Sequence, residues 1–214
     1  VGINDAKYVT NPTSGGKQVV CPYYNVWKSM MVRCYSPKFH DKNPSYRDCI
    51  VSKEWYSFMS FREWMISQDW KGRHLDKNIF LLNNKIYSKD TCCFVDSDLN
   101  KLFVNNKARR GKYPIGVSFY KPTKKYLSHI SISGKHKHLG YFNTIEEASY
   151  MYRIAKSKII LDKANNIDDV RLKKALNKTA DNIISDIAIE QQRLLAKRFK
   201  DILYKQNIKL NYTT

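Results

Sequence analysis

No stretch of this chain approaches the roughly twenty consecutive apolar residues that a membrane-spanning helix requires, so such a segment is not expected. Acidic residues are scarce: 19 Asp and Glu stand against 38 Lys and Arg, a net charge of +19 over 214 residues. That imbalance points away from cationic partners and toward polyanions, nucleic acid first. The five cysteines lack the short C-x-x-C spacing of a strong zinc motif. No secretory signal is expected ahead of them, which argues against a disulfide framework. Cys21, Cys34, Cys49 and Cys92 are the candidate ligands for a structural zinc, and buried free thiols are the ordinary alternative. What is present suits a folded α+β protein of one or two domains: 43% of the residues are apolar and 13% aromatic.

The most informative stretch is 113–163. Two alternating runs, Lys125–Ser131 and Lys135–Phe142, flank a Ser133-Gly134 turn, a short-hairpin signal. Asn143-Thr144 then precede Glu146-Glu147, a cap followed by first-turn acids, so a helix starts there. Ala148, Met151, Tyr152, Ala155 and Ile159 give that helix one apolar stripe. The expected unit is a three-stranded antiparallel sheet with one helix across a face. If Val117, Ser128, Ile130, Leu139 and Tyr141 pack on the helix, then Ser118, Tyr120, Leu127, His129, Ser131, His136 and His138 face outward. Lys124, Lys125, Lys135 and Lys137 surround the turns. A basic ribbon rich in hydrogen-bonding groups can enter a DNA major groove; a solvated, aggregation-resistant sheet face is the plainer alternative.

Ile115-Gly116-Val117, Lys125–Ile130 and the run His138–Ala148 (HLGYFNTIEEA) closely resemble the DNA-binding domain of plant ethylene-response factors. The resemblance implies a sheet that grips the major groove of double-stranded DNA through the outward residues named above. Where that family usually reads with arginines and tryptophans, this chain carries Ser118, Tyr120, His129, His136 and His138. The mode of binding therefore carries over better than the target sequence.

Before this unit, 1–19 reads as a flexible lead-in and Pro22 as the first turn of a helix to about Tyr35, with Trp27, Met30, Met31 and Cys34 on one face. Residues 36–47 read as a basic loop with two prolines. A second amphipathic helix is expected over 53–68, with Trp55, Phe58, Phe61, Trp64 and Met65 inward. Short strands at Leu75-Asp76-Lys77 and Cys93-Phe94-Val95, separated by a loop, lead into a helix over Asp96–Phe103. Strand, loop, strand and helix, with an Asp on the first strand and Asn100 on the helix, is the layout of ββα-metal nucleases.

Cys21–Tyr24, Trp27 with Met30, Arg33–Tyr35, Trp55 with Phe58, Leu75–Lys77, Tyr87-Ser88, Thr91-Cys92 and Asn100 resemble phage-encoded HNH-type homing endonucleases that carry an ethylene-response-factor-type domain. The resemblance implies Asp76 and Asn100 as ligands of a divalent metal such as Mg²⁺. Lys77 stands in the place of the general-base histidine, and an ammonium is a poor base unless desolvation lowers its pKa by several units. Asn78 replaces the second acid of the usual Leu-Asp-Lys-Asp. His74, on the same strand side as Asp76, is a candidate substitute base. The alternative is a retained scaffold in which Arg73, Lys77 and Lys85 grip phosphate.

The organisation expected is thus a lead-in (1–19), an HNH-like domain (20–104), a basic linker (105–112), the sheet domain (113–165) and C-terminal helices (166–214). Arg109 and Arg110 in the linker are candidate contacts to the DNA backbone or minor groove. Ile184, Ile187, Leu194, Leu195, Phe199, Ile202 and Leu203 recur at helical spacing, for self-packing or for a homodimer. Two functions follow: a repressor or targeting factor with a degenerate nuclease site, or an active metal-dependent homing endonuclease. Richness in Lys, Asn, Ile and Tyr fits a phage or mobile element, and with it the cytoplasm of a bacterial host.

Overall fold

Aromatic side chains organise the first part of the chain. The structure, a computed structural model, describes residues 2–104 and 111–211. It is a mixed α+β fold that divides into two compact units, Val1–Val104 and Asn105–Thr214. Among the described residues no helix is long and apolar enough to cross a membrane.

In the first unit a small hairpin, β1 (Thr13–Ser14) with β2 (Lys17–Gln18), precedes α1 (Pro22–Tyr35). Pro22 occupies the first turn, where its missing N–H costs nothing, and Trp27, Met30 and Cys34 are buried along one stripe. The prolines of 36–47 start helices and do not enforce a loop. Ser36 caps α2 (Pro37–Lys42), its Oγ accepting from Phe39 N at 3.4 Å, and Pro44 opens a 3-10 turn to Tyr46. β3 (Ile50–Val51) follows.

The helix expected over 53–68 is interrupted. Ser57 is extended, closes a 3-10 turn (Lys53–Tyr56), and its hydroxyl caps α3 (Phe58–Ile66) by accepting from Ser60 N. The break exists because the lead-in docks there. Ile3 N donates to Tyr56 O at 2.7 Å, Phe58 N to Ile3 O at 3.0 Å, and the Asp5 carboxylate accepts from Ser57 Oγ and Met59 N. The lead-in is therefore anchored and not loose. Trp55, Phe58, Phe61 and Met65 are fully buried on Trp27 and Met30, and each such side chain stabilises by on the order of 1.5–3 kcal/mol.

β4 (His74–Asp76) comes next, then β5 (Ile86–Tyr87), which pairs parallel with β3. β6 (Cys93–Val95) pairs antiparallel with β4 and leads into α4 (Ser97–Phe103), which packs on β4. Asp96 caps α4, accepting from Leu99 N at 2.8 Å. Lys77, expected on the first strand, lies just beyond its end.

The second unit is built on an antiparallel sheet, β7 (Val117–Tyr120), β8 (Lys125–Ile132) and β9 (Lys135–Phe142), in that order. Ser133 and Gly134 turn the hairpin at φ 50° and 75°. α5 (Ile145–Asn165) begins with a reciprocal capping box between Thr144 and Glu147. Its Tyr152 ring lies against Gly116, where a Cβ would meet a ring carbon at 2.0 Å. Only glycine fits that contact.

α6 (Val170–Asn211) is one helix of 42 residues, continuous through 177–179 because neither Gly nor Pro intervenes. Leu172, Leu176, Ala180 and Ile187 are buried, and α6 packs on α5. Ser157 Oγ donates to Ala180 O at 3.3 Å. At roughly 1.5 Å per residue α6 outruns α5, and Ile184, Leu194 and Leu195 stay exposed.

Candidate nucleic-acid interface

Strand register decides which side chains face away from α5. Val117 pairs with Ser128 and both are buried, so Ser118, Tyr120, Lys125, Leu127, His129 and Ser131 lie on the opposite face. On β9 the register shifts between Ser128 and His129: Ser128 pairs with Gly140 and His129 with His138. Leu139 is left over as a bulge, which reverses the alternation. Tyr141, expected against the helix, consequently stands outward opposite Leu127 and is 43% exposed. His136 and His138 remain outward, opposite Ser131 and His129.

The outer face has two halves. Tyr141 lies between Tyr120 (ring centroids 5.1 Å) and His138 (4.7 Å). The rings of His129 and His136 are 5.7 Å apart, and Ser131 Oγ and His136 Nδ1 share a hydrogen bond of 2.9 Å. His129 Nδ1 is buried with no partner. Burial, then the neighbouring His136 and His138, lowers the His129 pKa below its usual 6.5, so its imidazole is neutral near pH 7. With Nδ1 enclosed, the neutral ring presents Nε2 to a base edge, as donor or acceptor according to its tautomer.

Lys124, in the left-handed conformation after the 3-10 turn Lys121–Thr123, is exposed, as are Lys125 and Lys135. No acidic residue occurs between Asp98 and Glu146, so the sheet's strands and turns contribute positive charge alone. Neither this acid-free window nor an outward Tyr141 is among the features expected from sequence. The window was visible in the sequence; the bulge that turns Tyr141 outward was not. Arg109 and Arg110 lie outside the described residues.

The nuclease-like residues make a second cluster, in the first unit. Asp76 is 6% exposed and its Oδ1 accepts from Asn78 N at 2.6 Å and Ile79 N at 2.9 Å. Burial raises its pKa despite those bonds and the nearby Lys77 and Arg33. Lys77 is 8% exposed; its Nζ donates to Asn84 O at 2.6 Å and Asn78 Oδ1 at 3.0 Å, with the Tyr46 and Tyr87 rings each 5.8 Å away. Arg33 Nη1 reaches Tyr87 Oη at 3.5 Å. His74 is exposed at the start of β4, opposite Val95, and Asn100 is half-buried on α4. Arg73 is paired with Asp69, and Lys85 with Ser45 O and Asp48.

A catalytic divalent ion fits these residues poorly. The one carboxylate already holds two backbone N–H groups and sits beside two cations, and the Lys77 ammonium spends its hydrogens on oxygens of the chain. The cysteines fit zinc no better. Burial pushes the Cys34 and Cys92 thiols up to about 12 and also raises Cys49, whereas Cys21 interacts with Tyr8. Among the described residues no three His, Cys, Asp or Glu side chains group as metal ligands.

No family model, no curated protein and no solved structure matches the chain.

Proposed function

We propose that the chain is a sequence-specific double-stranded-DNA-binding protein of homing-endonuclease descent that acts as a repressor or targeting factor. On this reading the sheet of the second unit enters the major groove, and the lysines at its turns hold phosphates. The observation that carries it is the outward face of three imidazoles, two phenols and two serines, in a window free of acids. The Asp76 cluster is then the residue of an HNH-type site in which Lys77 has become structural. The basic linker adds backbone contacts, the exposed Leu194 and Leu195 of α6 offer a surface for a homodimer, and the setting is the cytoplasm of a phage-infected or element-bearing bacterium.

Selection of bound duplexes from a random library tests the proposal. A consensus should emerge that wild type prefers over scrambled DNA, and recovery of random sequences alone would refute it. The second reading, an active Mg²⁺- or Mn²⁺-dependent endonuclease, is favoured by one feature, a buried Asp76 beside Asn100's helix. Nicking of the selected duplex by wild type, lost in Asp76→Ala, would establish it over the first.

A further inference from the structure

Apart from Arg33, whose guanidinium reaches Tyr87 and acts on Asp76, the outer side of α1 belongs to neither cluster. While Trp27, Met30 and Cys34 face the core, Asn25, Lys28, Ser29 and Val32 form a second stripe. With Arg33 and Phe39 that stripe lines a groove of about 440 Å³ between α1 and α2. Among the residues lining it there are two cations, an amide and a hydroxyl, but no carboxylate, and α1 itself carries no acid.

The groove is held in shape from behind. Arg33 is steadied by Tyr87, and although burial alone would pull its pKa down, the Tyr87 and Tyr46 phenols raise it, so it stays charged. The carbonyl of Arg33 lies 2.9 Å from His40 Nε2, which ties α2 to α1. Phe39 is fixed edge-on to Tyr46 at 5.5 Å. A guanidinium, an exposed ammonium, two neutral hydrogen-bonding groups and an apolar wall match a phosphate with its attached sugar.

We infer that this groove binds a backbone phosphate of nucleic acid. Lys28 and Arg33 supply the charge, Asn25 and Ser29 donate hydrogen bonds, and Val32 and Phe39 lie against the sugar. The inference rests on the DNA-binding reading and adds to it a second set of contacts, contributed by the first unit.

The test uses the full chain with Lys28→Ala, Lys28→Glu and, as a charge control away from the groove, Lys71→Ala. Affinity for the selected duplex and for random duplex is measured across salt. Lys28→Ala should weaken both about equally, roughly three- to tenfold, and reduce the salt slope by about 0.9. Lys28→Glu should weaken both further, and Lys71→Ala should change neither. If Lys28→Ala matches wild type, or Lys71→Ala matches Lys28→Ala, while His129→Ala still loses discrimination, the groove inference is overturned and the sheet reading stands. Titration of the full chain with inorganic phosphate and a mononucleotide, followed at the amides of Lys28 and Ser29, separates the remaining cases. Shifts without any duplex binding would support an anion site for free nucleotide and refute the DNA reading; neither shifts nor duplex binding would refute both.

Discussion

Two clusters in this protein mix polar with aromatic side chains, and they end in opposite states. Around Asp76 the bonds are made within the chain: Lys77 donates to Asn84 O and Asn78 Oδ1, and Asp76 accepts two backbone N–H groups. On the outer sheet face, apart from the bond between Ser131 and His136, they are left open: His136, His138 and Tyr141 are exposed. Buried polar groups in folded proteins are nearly always satisfied, so the first cluster serves the fold, and the second is available to a ligand.

That contrast breaks most easily at Lys77. Lys77→Ala removes a buried ammonium with two hydrogen bonds and leaves Asn84 O unsatisfied, so it should cost roughly 2–4 kcal/mol in urea unfolding. His136→Ala should stay within about 0.5 kcal/mol of wild type. All four tryptophans lie in the first unit, so their fluorescence reports its unfolding separately. Comparable losses for the two variants would erase the distinction.

Binding should reverse the order. His129→Ala, His136→Ala and Tyr141→Ala should each reduce the preference for the selected duplex over random DNA by about 10- to 100-fold, the worth of one to three kcal/mol of base readout. Lys124→Ala or Lys125→Ala should weaken all sequences alike, by less, and flatten the salt dependence. An equal loss on selected and random DNA from the histidine variants would show that another surface reads.

The smallest effects are in pH, with opposite signs in the two units. The Asp76 pKa is raised above 3.8, so its contribution is fully present below 3.8 and is lost as pH rises through the folded value; Asp76→Asn should remove that slope from the tryptophan-detected unfolding. The His129 pKa is lowered below 6.5, so its contribution is present above 6.5 and is lost as pH falls through the folded value; His129→Gln should flatten that slope in the second unit.

Much of this was legible in the residues. Pro22 and the Trp27, Met30, Cys34 spacing set α1, and Thr144 with Glu147 set the start of α5, because caps and stripes are local. The hairpin followed from Ser133-Gly134 for the same reason. What was missed depends on distant partners. The lead-in docks on residues 56–59, which breaks the second helix at Ser57; β3 pairs with β5 across more than thirty residues. The bulge at Leu139 was hidden because the run from Lys135 to Phe142 alternates acceptably on either register. Among site residues, the outward set could be read by parity up to the bulge, and Tyr141 beyond it could not. That Lys77 would be enclosed by Asn84, Tyr46 and Tyr87 was not legible either, since those residues are brought to it by the fold.

Methylation interference on the selected duplex tests the central claim most directly. Methyl groups on guanine N7, in the major groove, should block binding within the site, and those on adenine N3, in the minor groove, should leave it intact. Binding that tolerates N7 methylation throughout the site, or is blocked only by N3 methylation, would contradict a sheet seated in the major groove.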